Sequence, residues 1–232
     1  VDTDNVELRR RIVAHATPQF LRHGIRTVRT EDLAAELGIS KKTIYRLFGS
    51  KDELLRQAVF EQLDRVDRQV TAIFEDRERP FTERLGRFLH VVGNMLSTIS
   101  GSFVRDLNRY APAVWDEIQE FRRRRVFSRF EGLLKEGIEE GTVRPEVEPH
   151  LLVEIFASIA DTVITPHGLL ALDVSPSAVL NQVGMLLSSG ILTEEGRAAL
   201  PAVEIPSGET GGGESRNGES TRGEFLKGAS TI

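Results

Sequence analysis

The sequence predicts an all-α chain. Apolar residues return every three or four positions along most of its 232 residues, no stretch alternates apolar and polar in strand fashion, and glycine, proline and hydroxyl residues sit where helices would stop and start. A hydrophobic share of 40% with 28% charged residues is enough to bury a substantial core. The chain has no cysteine, which excludes disulfides and thiolate chemistry and fits a reducing compartment. No secretory leader pattern opens it and no window approaches the roughly 18 apolar residues of a membrane span. The expectation is a soluble cytoplasmic protein without a membrane partner.

The first helix is expected from about Val6 to His23, with Leu8, Ile12, Val13, Ala16 and Phe20 on one face and Gly24 as its stop. Pro18 lies inside it and should kink or divide it, because proline removes the bond to the carbonyl of Ala14. A second helix begins near Thr30, whose hydroxyl can cap free amides, and ends at Gly38. Ser40 caps a third over Lys41 to Phe48, closed by Gly49. Ser50 and Glu53 have capping-box spacing and open a fourth, which Leu54, Leu55, Ala58, Val59, Leu63, Val66, Val70 and Ile73 carry to about Asp76.

Pro80 then suits a first helical turn, and Phe81, Leu85, Phe88, Leu89, Val92, Leu96 and Ile99 step at helical spacing until Gly101. A short helix over Phe103 to Tyr110 is followed, from Pro112, by a long one reaching Gly141. Two strongly apolar helices close the folded part, one over Leu151 to Ile164 and one introduced by Ser175-Pro176 and running to Leu192. From about Pro201 glycine, serine and glutamate dominate, a composition that cannot bury enough apolar area to offset its ordering entropy, so residues 201–232 are expected to be a flexible tail.

Charge is unevenly shared. The chain carries a net −5, yet residues 1–60 carry a net +3 and the remainder a net −8. Cationic charge is thus gathered in one small module, as expected where one end faces a polyanion. Within that module two helices are joined by Leu37-Gly38-Ile39-Ser40, where Gly38 can adopt positive φ and Ala34 permits close approach. Ile39, Ile44, Leu47 and Phe48 offer an apolar side that would clamp the second of these helices down. Its other side offers Lys41, Lys42, Thr43, Tyr45 and Arg46, a basic and hydrogen-bonding face suited to a DNA major groove.

The stretch from residue 24 to residue 55 resembles the DNA-binding segment of the tetracycline-repressor (TetR) family. The likeness rests on Phe20, Gly24, Thr30, Leu33-Ala34, Gly38-Ile39-Ser40, Thr43-Ile44-Tyr45, Phe48, Lys51 and Leu54-Leu55. It covers the N-terminal quarter; beyond that it is confined to the number and length of helices. The resemblance implies that Thr30, Tyr45 and Lys51 bind phosphates and that Lys41, Lys42, Thr43 and Arg46 sit where base edges are read, with Ser40 also in the contact set. Many members have a small residue where this chain has Lys42, which implies an added phosphate or guanine contact.

The organisation expected is therefore a three-helix helix-turn-helix domain (1–50), a larger helical effector-binding and dimerisation domain (51–200) and the tail (201–232). The resemblance implies a homodimer that grips double-stranded operator DNA. It further implies a repressor, released from a palindromic operator by a small molecule held in the body. Phe88, His90, Asn94, Tyr110, Trp115 and Asp161 are candidate effector contacts, and the scarcity of charge on the apolar faces points to an apolar or amphipathic effector. Leu152, Ile155, Phe156, Ile159, Val179, Val183, Leu186 and Leu187, on the last two apolar helices, are candidate dimer contacts.

Other features invite blander readings. Arg122 to Arg125 point around much of a helix and suit a solvated, partly ion-paired surface. His150 and Glu154 share a face without any HExxH or Glu-x-x-His pattern, so no metal and no cofactor is expected. The alternatives are an effector-independent DNA-binding dimer and a helical enzyme. No Gly-x-Ser-x-Gly elbow, phosphate loop or dinucleotide fingerprint supports the enzyme.

Overall fold

The computed structural model describes residues 3–163 and 165–202. Most of the expected tail, and Ile164 at the end of one apolar helix, lie outside them. The elements are α1 (Thr3–His23), α2 (Thr30–Glu36), α3 (Lys41–Phe48), α4 (Lys51–Glu75), α5 (Phe81–Ser97), α6 (Gly101–Tyr110), α7 (Pro112–Phe121), α8 (Ser128–Glu139), α9 (Pro149–Val163), α10 (Pro166–Leu172), α11 (Pro176–Gly190) and α12 (Glu194–Ala199). No strand occurs among the described residues; one bridge, Val143 to Leu192, stands alone.

Helix starts follow a common chemistry. Ser40, Ser50, Ser100, Thr165, Ser175 and Thr193 each accept, through the side-chain oxygen, a bond from the amide three residues on. Gly24, Gly38 and Gly49 take φ of +83°, +67° and +76° and end α1, the α2 turn and α3.

Several expectations are corrected. Thr30 does not cap α2. Arg29 holds that position without a side-chain bond, and Thr30, already helical, is buried with its hydroxyl against Glu31 and Tyr45. Pro18 does not divide α1, which runs unbroken past it. Its ring lies on the exposed side, while Ala16, Phe20 and Leu21 remain buried on either side of the missing bond. Gly101 begins α6 instead of ending α5, because Ser100 caps α6.

The long helix expected from Pro112 to Gly141 is interrupted by a π-helical segment, Arg122–Phe127, between α7 and α8. Two short helices, α10 and α12, were not foreseen. Each is started by a threonine cap, a signal overshadowed by the stronger apolar periodicity of its neighbours.

Two cores organise the chain. The first joins Ile12, Ala16 and Phe20 of α1, Leu33 of α2, Ile44 and Phe48 of α3 and Leu54, Leu55 and Ala58 of α4 with Phe103 and Leu107 of α6 and Val114 of α7. The second gathers Val66 and Val70 of α4, Phe81, Leu85 and Leu89 of α5, Phe130 and Leu134 of α8, and Leu187, Ile191 and Leu192 near the end of α11. Helix α4, about 38 Å long at 1.5 Å per residue, runs through both.

Ion clusters fix the body. Arg84 is among the most buried side chains, yet its guanidinium reaches Glu136 (2.6 Å), Glu140 (3.3 Å) and the Phe74 carbonyl (3.2 Å), so its charge is compensated where α5 meets α8. Glu140 also accepts from the amide of Phe81, one of the free donors at the start of α5.

Candidate functional site

Helices α2 and α3 and their turn present the basic face. Ile44 and Phe48 are buried and Leu47 is half-buried, so α3 is held by one side, while Lys41, Lys42, Tyr45 and Arg46 are exposed on the other. Arg9 of α1 completes the clamp. Its guanidinium donates to the Leu47 carbonyl and to Gln57 Oε1 (3.0 Å) and lies 4.8 Å over the Phe48 ring. A cation at the C-terminal end of a short helix satisfies both a free carbonyl and the helix dipole. Sequence reasoning missed this arginine, because its partner is 38 positions away.

Lys41, Thr43, Tyr45 and Arg46 of the basic face each have a present partner. Lys41 pairs with Glu31 and lies 5.6 Å from the Tyr45 ring centre. Arg46 donates from both terminal nitrogens to Asn5 Oδ1 at 3.3 Å. Thr43 is bonded to Ser40 through its amide (3.0 Å) and its hydroxyl (2.9 Å), so these two side chains form the cap of α3. Tyr45 OH lies 3.4 Å from Thr30 Oγ1. Lys42 is exposed and makes no ion pair among the described residues.

Lys51 is half-buried and donates to the Ile25 carbonyl, tying the start of α4 to the loop after α1. Burial pushes its ammonium pKa down, with Tyr45 the largest influence in the other direction.

This module is sutured to the body. The amide of Arg26 donates to Asp106 (2.9 Å), its guanidinium to Tyr110 OH (3.2 Å), and the amide of Ser100 to the Leu21 carbonyl (2.9 Å). Arg56 forms a two-pronged pair with Glu117 of α7, the shortest contact being 2.6 Å.

Behind it lies an apolar cavity of about 220 Å³. Its wall combines Leu21 of α1, Val59, Leu63, Val66 and Val70 of α4, residues of α5 and α6 including Phe88, Met95 and Phe103, Trp115 and Phe121 of α7, and Phe156, Val179 and Val183 of α9 and α11. The polar groups on it are Gln62, Asp67 and Arg122.

Of the six candidate effector residues, Phe88 and Trp115 line this cavity. His90 and Asn94 bond to each other at 2.8 Å on the outer face of α5, where His90 borders a separate open hollow. Tyr110 lies at the seam with Arg26, and Asp161 binds Gln119, Arg122 and Arg123. These four belong to other surroundings because helical spacing fixes a face and not what the face meets.

The candidate dimer residues also divide. Phe156, Ile159, Val179, Val183 and Leu187 line the cavity, Leu152 packs against the second core, and Ile155 and Leu186 remain exposed. An apolar stripe wide enough for two neighbours serves an inward wall on one side and an outward surface on the other. Among the described residues no group of three metal-ligating side chains occurs and no helix is long and apolar enough to cross a membrane. His150 instead lies against Glu131, at 3.3 Å.

The arrangement is that of a helical DNA-binding regulator: a helix-turn-helix face joined to a body with an internal cavity. Residues 12–58 match the model of the bacterial regulatory proteins of the tetR family. A relative from Bacillus subtilis (strain 168), an uncharacterized HTH-type transcriptional regulator named YvaF, is 26% identical over 165 residues, which are 71% of this chain and 85% of that protein. Among solved structures, a putative transcriptional regulator from Saccharomonospora viridis in complex with choline superposes with a TM-score of 0.61 at 22% identity, covering 82% of this chain and all of that one. The fatty acid degradation regulator FadR from Bacillus halodurans gives 0.57 at 19% identity, covering 78% and 95%. The ketosteroid transcriptional regulator KstR2 of Mycobacterium tuberculosis gives 0.54 at 20%, covering 80% and 95%. The chain thus carries a segment that matches the tetR-family model and is similar, over most of its length, to bacterial HTH-type transcriptional regulators.

Proposed function

We propose that the chain is a homodimeric repressor that binds a palindromic operator through paired α3 helices and is released when an apolar or amphipathic small molecule fills the cavity. In this reading residues 1–50 are the DNA-binding domain, with Lys41, Lys42, Thr43 and Arg46 at base edges, Thr30, Tyr45 and, just beyond the domain, Lys51 at the phosphates, and Ser40 in the same contact set. Residues 51–200 hold the effector and the dimer contacts, Ile155 and Leu186 among them.

The observation that carries the reading is the make-up of the cavity wall. Leu21 belongs to the first core and Val66 and Val70 to the second, and α4 is a member of both. An occupant therefore touches the DNA-binding module and the body at once. Any change it makes in the tilt of α4 alters the separation of the two α3 helices, which must match half-sites about 34–36 Å apart. The similar folds named for a ketosteroid regulator and a fatty acid degradation regulator, and the one holding choline, agree with a small-molecule effector.

The test is selection of bound genomic fragments, then titration of apolar compounds against the protein bound to the recovered operator. Recovery of an inverted repeat and its release by at least one compound that also raises Tm is the expected result. Operator binding indifferent to every cavity-binding compound would favour an effector-independent regulator.

A further inference from the structure

At one pole of the cavity the apolar lining gives way to charge. Arg122 opens the π-helical segment and borders the cavity, while the next three arginines of that segment are exposed. Its Nη2 donates to Asp161 at 2.8 Å, but its Nε–H is buried with no acceptor among the described residues. A buried donor on a cation is ordinarily satisfied, because leaving it bare forfeits hydration without replacement.

The surrounding ion pairs are unbalanced. Arg122 and Arg123 share Asp161, and Arg125 and Arg129 share Asp67, so four guanidiniums face two carboxylates. Gln119 adds a neutral donor to Asp161, and Arg124 is matched separately by Glu120. Asp67 also borders the cavity, but its two oxygens are taken by Arg125 and Arg129. At the cavity wall, therefore, Asp67 is taken by two other arginines, whereas Arg122 shares its one carboxylate with Arg123 and keeps a free donor.

We propose, on the footing of the effector reading above, that the cavity takes an amphiphile with a single carboxylate. The carboxylate sits at Arg122 and the apolar body lies along Phe88, Met95, Phe103 and Trp115. A carboxylate answers the unpaired Nε–H with an acceptor and offsets part of the charge surplus, and a planar guanidinium is the natural receptor for it. A cationic headgroup would meet like charge at this pole, and a neutral one would leave the surplus in place.

Trp115 is the single tryptophan and lines the cavity, so its emission reports occupancy. The full chain is titrated with dodecanoate, its methyl ester, dodecanol and dodecyltrimethylammonium, each below its critical micelle concentration. Dodecanoate is expected to bind about tenfold or more tightly than the other three. Arg122→Gln is expected to abolish that preference, so that the variant binds dodecanoate and dodecanol alike. Arg122→Lys, which keeps the charge beside Asp161 and lacks the Nε–H, is expected to retain part of it and guards against a misfolded Gln variant.

Equal binding of dodecanoate and dodecanol to the unaltered protein, or a dodecanoate preference that survives Arg122→Gln, overturns the carboxylate assignment and leaves the apolar effector reading standing. Failure of all four probes to bind overturns both.

Discussion

Lys41 and Glu31 form an exposed ion pair on the face that carries the candidate DNA contacts. The hydrogen bond from Lys41 holds the Glu31 carboxyl below its ordinary pKa, so the carboxylate stays charged and competes with DNA for the ammonium. Glu31→Gln should tighten DNA binding about threefold, the scale of an exposed pair, and steepen its salt dependence, read by fluorescence anisotropy across a salt series. Lys51 has a double task in the proposed scheme. Its bond to the Ile25 carbonyl supports the loop before α2, so Lys51→Ala should weaken binding to all sequences alike and also lower stability by about 1 kcal/mol. Arg46→Ala, by contrast, should relax preference at one base position, a loss of roughly 1–3 kcal/mol in discrimination. Uniform loss across a randomised operator library for both variants would remove Arg46 from base reading.

Among the elements, α4 and the π-helical segment are joined by one buried carboxylate. Asp67 is 8% exposed and is held by Arg125 and Arg129. Asp67→Ala strands those two cations and should cost about 2–3 kcal/mol in denaturant unfolding, toward the low side for a buried pair because the arginines reach solvent. Helix α8 is seated as closely: a methyl group on Gly137 would lie 2.7 Å from both Phe81 Cδ2 and Val143 Cγ2. Gly137→Ala should therefore destabilise by about 1–3 kcal/mol although alanine favours helices, and an unchanged denaturation midpoint would mean α5 and α8 can part. The helix pattern itself was legible in Ile12, Phe20, Leu54, Leu85 and Leu134. The π segment was not, since nothing in Arg122 to Arg125 alone distinguishes one more regular turn from a wider one. Its arginines meet Asp161 on one side and Asp67 on the other, 39 and 55 positions from Arg122.

Across the molecule, the outer faces of α9 and α11 keep Leu151, Ile155, Met185 and Leu186 in solvent, with Leu186 64% exposed. In the proposed homodimer these exposed apolar side chains are the candidate contact. Leu186→Glu should yield a monomer by light scattering and abolish operator binding, with little change in Tm of the monomeric fold. A dimer that persists would move the interface elsewhere. Because the first core takes in α6 and α7, the boundary expected at residue 50 cuts through packed side chains, and Phe103, Leu107 and Val114 belong with the N-terminal module in space. Nothing in the linear order from Pro80 onward signals that membership.

The amino-acid order alone determined the all-helical class, the turn at Gly38, the seating of α3 by Ile44 and Phe48, and the cationic face beside them. All of these depend on residues within a few positions of one another, where helical period and capping chemistry act directly. Tertiary structure alone decided which apolar stripes face a cavity and which face solvent. It also moved His90, Asn94, Tyr110 and Asp161 to other surroundings, and placed Arg122 at the cavity wall. Those outcomes depend on which helices meet, and a helix carries the period of its own face but no record of its neighbour's.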